Sequence, residues 1–316
     1  MSEIFDFKQL ENQYFIGKNI VMVIGFFDGI HRGHQRIISL CKERAQQING
    51  KSLVFTFDKP PLNIIKGKIQ KKLIMPYQEK VKLIEDLGVD YIITKKFDRE
   101  FSKITPHQFC KNILLQKFHL KEIFIGEGFR FGYKGMGDEN FLKEFFKGYG
   151  VNVNIIPLLK KDNLIVSSTS IRRFYKQGNI DKIKLLLGRQ PFLTGKVVKG
   201  SGRGKKLAFP TANIDVSERY ITPKDGVYIG EARIGNNNSN LPCLINIGDN
   251  PTFGGKKKWV EAYIINFNKN IYNVKIYLYF IKKLRDEIEF SGKEELIRQI
   301  KEDIMEAKLY FNLIIN

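Results

Sequence analysis

The chain has 316 residues, 43% hydrophobic and 12% aromatic, with a formal net charge of +20. That length allows two domains with proper cores, and that composition excludes a disordered chain. No apolar run reaches the length of a membrane span, and Met1 to Phe7 lacks the basic and apolar segments of a secretory signal, so a cytoplasmic protein without a membrane partner is expected.

In chain order, Ile20–Ile24 reads as an apolar strand, and the run Gly25-Phe-Phe-Asp-Gly-Ile-His-Arg-Gly-His34 leads from it into a helix, Gln35 to Ile48, stopped at Asn49-Gly50. Ser52–Phe57 is a second strand, Tyr77–Leu87 a helix ended by Gly88, and Tyr91–Thr94 a third strand. Thr105-Pro106 opens a helix, with threonine as cap and proline in the first turn. Glu122–Gly126 is a strand, Asp138–Phe146 a helix and Val151–Ile156 a strand. Such alternation predicts a parallel, Rossmann-like sheet with helices on its faces, and ligands bind such sheets beyond the carboxyl ends of the strands. Ser170–Leu187 reads as one helix leading to a boundary, with domains 1–185 and 186–316. Beyond it, strands follow one another: Thr194–Val198, Val227–Ile234, Cys243–Ile247, Val260–Phe267 and Tyr272–Phe280. Lys293–Leu309 closes the chain as an amphipathic helix with Leu296, Ile300, Ile304 and Ala307 on one face. Many short strands and one helix predict a small antiparallel β-barrel, so the class is α/β followed by a barrel domain.

Half of the four histidines, His31 and His34, fall in the Gly25–His34 run, three apart at a helix start and so on one face. A glycine-containing turn entering a helix offers free N–H groups and a positive dipole end, which suits a phosphate. The same run also fits a helix cap beside one surface histidine. Asp28 suits a helix N-cap or the neighbourhood of a nucleotide's metal ion. Three cysteines, Cys41, Cys110 and Cys243, are far apart and suit buried thiols in a reducing compartment. The positive charge fits nucleic acid, anionic small substrates or a lysine-rich surface. The lysines are spread along the whole chain without a nucleic-acid-binding motif, so no specific nucleic-acid partner is expected.

Five motifs and the single residue Glu261, in order, carry a family resemblance. Gly25–His34 resembles the nucleotidylyltransferase signature. Ser167-Ser-Thr-Ser-Ile-Arg172 resembles a second nucleotide motif, and Gly200-Ser-Gly-Arg-Gly-Lys-Lys-Leu-Ala-Phe-Pro-Thr-Ala-Asn213 a flavin-kinase signature. Asn246–Phe253, Glu261, and Leu284–Glu287 followed by Phe290 complete it. The chain is thereby similar to the bifunctional riboflavin kinase/FAD synthetases of bacteria over nearly its whole length. The resemblance implies phosphorylation of riboflavin to FMN, then adenylylation of FMN to FAD, with ATP as co-substrate and Mg²⁺ as cofactor.

For adenylyl transfer it implies ATP and phosphate contacts from Gly25, Phe27, Asp28, Gly29, His31, His34, Ser167, Ser168, Thr169 and Arg172. It places the flavin or nucleotide near Phe57, Asp58, Gly126, Gly128, Phe129 and Arg130. For the kinase it implies Glu261 as base, Thr211 and Asn213 as magnesium ligands, and ATP or flavin contacts from Gly200, Gly202, Gly204, Phe209, Pro210 and Arg285. A monomer or weak homo-oligomer is expected.

Three departures stand out. Lys59-Pro60-Pro61 lacks the histidine usual beside Asp58, Gly128 stands where Asn or Asp is usual, and Ala208 replaces a common glycine. The first two bear on FAD synthesis, which leaves a riboflavin kinase with weakened or lost adenylyltransferase activity as an alternative. A basic nucleic-acid-binding protein is an alternative of another class.

Overall fold

A computed structural model describes residues 2–12, 15, 18–60, 69, 71–200, 209–237, 239–249 and 258–313. The chain divides into two compact units, Met1–Ser168 and Thr169–Asn316.

The first unit holds strands β1 (Glu3–Asp6) and β2 (Ile20–Ile24), helix α1 (Arg32–Gln47), β3 (Lys51–Phe57), α2 (Tyr77–Glu85) and β4 (Tyr91–Lys95). Then come α3 (Pro106–Gln108), which passes directly into a wide i→i+5 helix over Phe109–Leu115, β5 (Leu120–Gly126), α4 (Glu139–Phe146) and β6 (Asn152–Ile156). A hairpin of β7 (Lys160–Lys161) and β8 (Leu164–Ile165) follows. Six strands form one parallel sheet in the order β1-β4-β3-β2-β5-β6. Every residue of β2 is buried, as its unbroken apolar run requires of a central parallel strand covered on both faces. On one face Met22, Phe55, Ile93, Phe109, Ile123 and Phe146 belong to a single apolar cluster. Because the strands are parallel, β2, β3 and β5 all present their carboxyl ends, Ile24, Phe57 and Gly126, at one edge.

The second unit contains α5 (Ser168–Gln177, from Thr169 on), α6 (Ile180–Leu187), β9 (Phe192–Val198), β10 (Ala212–Asp215), β11 (Gly226–Ile234), β12 (Leu241–Asp249), β13 (Lys258–Ile264), β14 (Lys275–Arg285) and α7 (Lys293–Tyr310). The six strands close into a barrel, β10-β13-β12-β11-β14-β9, in which every pair is antiparallel. Val260, Ala262 and Ile264 on β13 are buried, while the alternate Trp259, Glu261 and Tyr263 are half-buried. Helix α7 lays Ile304 and Ala307 against Val227, Ile229 and Leu244.

Several expected boundaries shift for local reasons. The helix expected from Ser170 to Leu187 is two helices, because Gly178 takes a left-handed φ of +68° and the Asn179 side chain caps α6 by accepting from Lys182 N–H at 3.0 Å. Helix α1 starts at Arg32, ahead of the expected Gln35, because extended His31 is its cap. Asp28 is therefore not that cap. The strand expected at Tyr272 begins at Lys275, after a turn with Asn273 at φ +65°, and continues to Arg285. The strand expected to reach Phe267 ends at Ile264, before Asn266 at φ +56°. The short strands β1 and β10 carry no periodicity that marks them in the sequence.

Candidate active sites

The first site grows from the end of β2. Gly25 N–H bonds Phe55 O at 3.1 Å, which keeps the backbone in the sheet. A β-carbon on Gly25 would lie 2.7 Å from the Phe27 ring, so the close approach requires glycine. The next residues are strained: Phe27, Gly29 and Ile30 have φ of +55°, +87° and +38°. Two of these are not glycine, and such strain persists only where the surroundings hold it, often at ligand sites. His31 Nδ1 accepts the His34 N–H at 3.3 Å, and the two rings stack with centroids 3.5 Å apart. A neutral imidazole that accepts at Nδ1 carries its proton on Nε2. His31 thus caps α1 through Nδ1, with Nε2 as the ring's donor atom. The Asp28 carboxylate accepts Ile74 N–H at 3.0 and 3.3 Å, while its carbonyl accepts from Ser168 Oγ at 2.9 Å.

The neighbouring expected residues occupy different settings. Phe57 is a core ring, 5.5–5.7 Å from Phe55, Phe97 and Phe101. Asp58 accepts Phe97 N–H at 2.8 Å and so ties down the loop after β4. Beyond β5, Phe129 stacks on Phe131 at 5.7 Å, and exposed Arg130 reaches Asp138 at 3.4 Å. Gly128 has φ +78° with no atom within 4 Å of a built β-carbon, and its N–H bonds Glu139 at 3.1 Å. Ser167 and Ser168 end the first unit, while Thr169 and Arg172 lie in the first turns of α5 in the second.

The second site lies on the barrel. Asn213 of β10 stands opposite Glu261 of β13, and Glu261 stands opposite Asn246 of β12, so the three share a row across three strands. The Glu261 carboxylate accepts the Trp259 indole N–H at one oxygen and the Thr211 hydroxyl at the other, the latter at 3.4 Å. Asn213 Oδ1 is buried with no hydrogen-bond partner among the described residues. A β-carbon on Gly200 would run into the Asn213 amide. Phe209 meets Tyr263 edge-on at 6.1 Å, and Pro210 is exposed. Gly202, Gly204, Ala208, Pro61 and the stretch 250–253 lie outside the described residues.

Arg285 ends β14 with its guanidinium held by Asp303 of α7, Nη2 to Oδ2 at 2.7 Å and Nε to Oδ1 at 3.0 Å. Gln299 also donates to Asp303 at 3.1 Å. Sequence reasoning missed Asp303 and Trp259. Their signals were a carboxylate beside the apolar stripe of α7 and the chain's only tryptophan two residues from Glu261, on the same strand face.

The comparisons with known proteins cover the two sites separately. A family model described as FAD synthetase matches residues 15–170, and one described as riboflavin kinase matches residues 187–311. A bifunctional riboflavin kinase/FMN adenylyltransferase of Buchnera aphidicola subsp. Schizaphis graminum is 37% identical over 304 residues, covering 95% of this chain and 96% of its own. The protein of that name from Bacillus subtilis is 32% identical over 296 residues, covering 92% of each. A Streptococcus pneumoniae crystal structure described as a macrolide-efflux protein superposes with a TM-score of 0.85 at 26% identity, over 96% of this chain and 98% of its own. Among the described residues of the present chain, no helix is long and apolar enough to cross a membrane.

Proposed function

The chain belongs to the bifunctional riboflavin kinase/FMN adenylyltransferase family, and we propose that the chemistry divides along the chain, residues 1–185 making FAD and residues 186–316 making FMN. As a member of that family it phosphorylates riboflavin and adenylylates FMN, with ATP as co-substrate and FMN and FAD as products.

In the kinase, a riboflavin hydroxyl attacks the γ-phosphorus of ATP. Its O–H bond breaks as the new P–O bond forms and ADP leaves. Glu261 takes the proton, and the Trp259 and Thr211 bonds fix the carboxylate's orientation beforehand. Thr211 and Asn213 are the magnesium ligands in this reading. The fit rests on Asn213 Oδ1, a hard oxygen held in a strand, buried and without a hydrogen-bond partner among the described residues. Magnesium bound there supplies charge neutralisation for the triphosphate.

In adenylyl transfer, an FMN phosphate oxygen attacks the α-phosphorus of ATP and pyrophosphate leaves, so the protein needs no nucleophile. Its work is to position two anions. His31 donates from Nε2, the N-terminal N–H groups of α1 add to it, and His34 lies against the same ring. Arg172 contributes a planar fork for phosphate, as its motif implies. The kinase reading is carried above all by the row Asn213–Glu261–Asn246, which sets the Glu261 carboxylate beside the Asn213 amide. The three free, buried cysteines support a reducing, cytoplasmic setting.

Incubation of the chain with riboflavin, ATP and Mg²⁺, followed by chromatography, tests the reading. FMN and then FAD are expected. FMN alone, with none converted even when FMN is supplied, would favour the reading in which Gly128 marks a lost second activity. Absence of both products would overturn the assignment.

A further inference from the structure

Lys80 is buried in the first unit, although a lysine inside a protein is costly unless its charge is fully satisfied. It sits in the first turn of α2, and its ammonium uses all three donors. One goes to Phe26 O at 2.9 Å, one to Phe57 O at 2.6 Å and one to Thr56 Oγ1 at 3.2 Å. Thr56 Oγ1 in turn donates to Phe26 O at 3.3 Å. The ammonium also lies 4.4 Å from the centre of the Phe26 ring.

The placement of these partners carries the argument. Phe26 immediately precedes the left-handed residues Phe27, Gly29 and Ile30. Phe57 is the last residue of β3. One ammonium therefore joins the carboxyl ends of two adjacent parallel strands at the point where the strained turn leaves the sheet. A methionine would fill a similar volume without the cost of burying a charge. The cation is accounted for if those carbonyls have to be held in place.

We propose that Lys80 is a positioning residue for adenylyl transfer, clamping Phe26 O to Phe57 O so that the turn delivers His31 to the nucleotide. The proposal rests on the reading of that turn as the ATP site. The titratable groups around the ammonium are Asp28 on the turn, Asp58 after β3, and Tyr77 and Glu79 on its own helix. Lys95, at the end of β4, is turned to the Phe7 and Phe101 rings. Desolvation pushes the Lys80 pKa down to about 7, with Asp28 and Asp58 opposing the fall. The clamp is thus charged below neutrality and loses a donor as the pH rises through that value.

The test uses the full chain and two assays, FAD formation from FMN and FMN formation from riboflavin. Lys80→Met is expected to lower kcat for FAD formation roughly 10- to 100-fold, with a smaller change in the KM for ATP. FMN formation should stay within about twofold of wild type, and a circular dichroism melt of the variant that keeps every transition of the wild-type chain reports that the unit holding Lys80 has folded. Wild-type kcat/KM for FAD formation should fall between pH 6.5 and 8.5, a limb absent from Lys80→Met and from the kinase assay. If Lys80→Met proves insoluble, the wild-type profile decides, and a flat one overturns the proposal. A folded Lys80→Met with FAD formation within threefold of wild type also overturns it. His31→Ala separates the two readings. Full FAD formation in His31→Ala would remove the turn from the nucleotide site. A His31→Ala slowed 10-fold or more beside a Lys80→Met within threefold of wild type would remove only the clamp.

Discussion

A held carboxylate at Glu261 and a left-handed backbone at Gly128 decide how two single residues should behave. Glu261 is held at both oxygens, by Trp259 and Thr211, so Glu261→Gln keeps the shape and part of the bonding while losing the ability to take a proton. FMN formation is expected to fall about 10²- to 10⁴-fold, the usual contribution of a placed base, while FAD formation from supplied FMN persists. Wild-type kinase rates in that variant would remove Glu261 from the role. At Gly128 the limiting factor is the backbone. The space is open, yet φ is +78°, a region that asparagine tolerates and alanine does not. Gly128→Asn is therefore expected to raise FAD formation or FMN affinity modestly, and Gly128→Ala to give strain without gain. His31→Ala should cost far more, roughly 10- to 100-fold, since a charge-assisted hydrogen bond contributes about 1.5–3 kcal/mol. Steady-state FAD formation by the three variants, with thermal melts for Gly128→Ala, checks the ranking. A Gly128→Asn variant that gains nothing would mean that other groups already supply the contact.

Elements were legible where a physical rule acts locally. The central strand β2, the Thr105 cap with Pro106 behind it and the helix beginning around Asp138 all follow from residue type and spacing. The break between α5 and α6 was written in Gly178-Asn179, but apolar spacing on both sides of the pair masked it. Strand β10 was not legible, because four residues cannot display a period, and with it went the alignment of Asn213 with Glu261. Lys80 and, despite its place beside the apolar stripe of α7, Asp303 were passed over for a common reason. Sequence patterns expect charge outside, and each charge here is buried against partners distant in sequence. The Arg285–Asp303 pair joins β14 to α7, with side-chain exposures of only 18% and 6%. Asp303→Ala leaves a largely buried guanidinium without its carboxylate, which should destabilise the second unit by about 3 kcal/mol. Asp303→Asn, which keeps one acceptor, should cost less. Urea unfolding followed in the second unit measures both. An unchanged midpoint for Asp303→Ala would mean that apolar contacts alone hold the helix.

At the scale of the whole molecule, the point at issue is where the kinase begins. The riboflavin kinase model starts at residue 187, close to the boundary expected from the sequence at 186, whereas the compact unit starts at Thr169. Residues 171–186 thus lie outside both family models, yet they are bound into the barrel's unit. Tyr175 O accepts Lys224 N–H at 2.9 Å, and Gly178 lies so close to the Tyr228 hydroxyl that a β-carbon there would approach it to 3.0 Å. Ile180, Ile183, Leu186 and Leu187 of α6 are all buried. Each fully buried aliphatic side chain is worth about 1.5–3 kcal/mol, so losing Ile180 and Ile183 alone removes a sizeable part of a domain's usual margin of about 5–15 kcal/mol. A fragment of residues 169–316 is expected to fold cooperatively and to make FMN at close to the full-length rate. A fragment of residues 186–316 should keep the barrel strands and Glu261 but unfold at a lower urea concentration. Urea unfolding followed by circular dichroism, and riboflavin phosphorylation by the two purified fragments, decide the matter. Equal midpoints would place α5 and α6 outside the kinase's folding unit. A fragment 169–316 that is unfolded while the whole chain is folded would show that the barrel depends on the first unit for its stability.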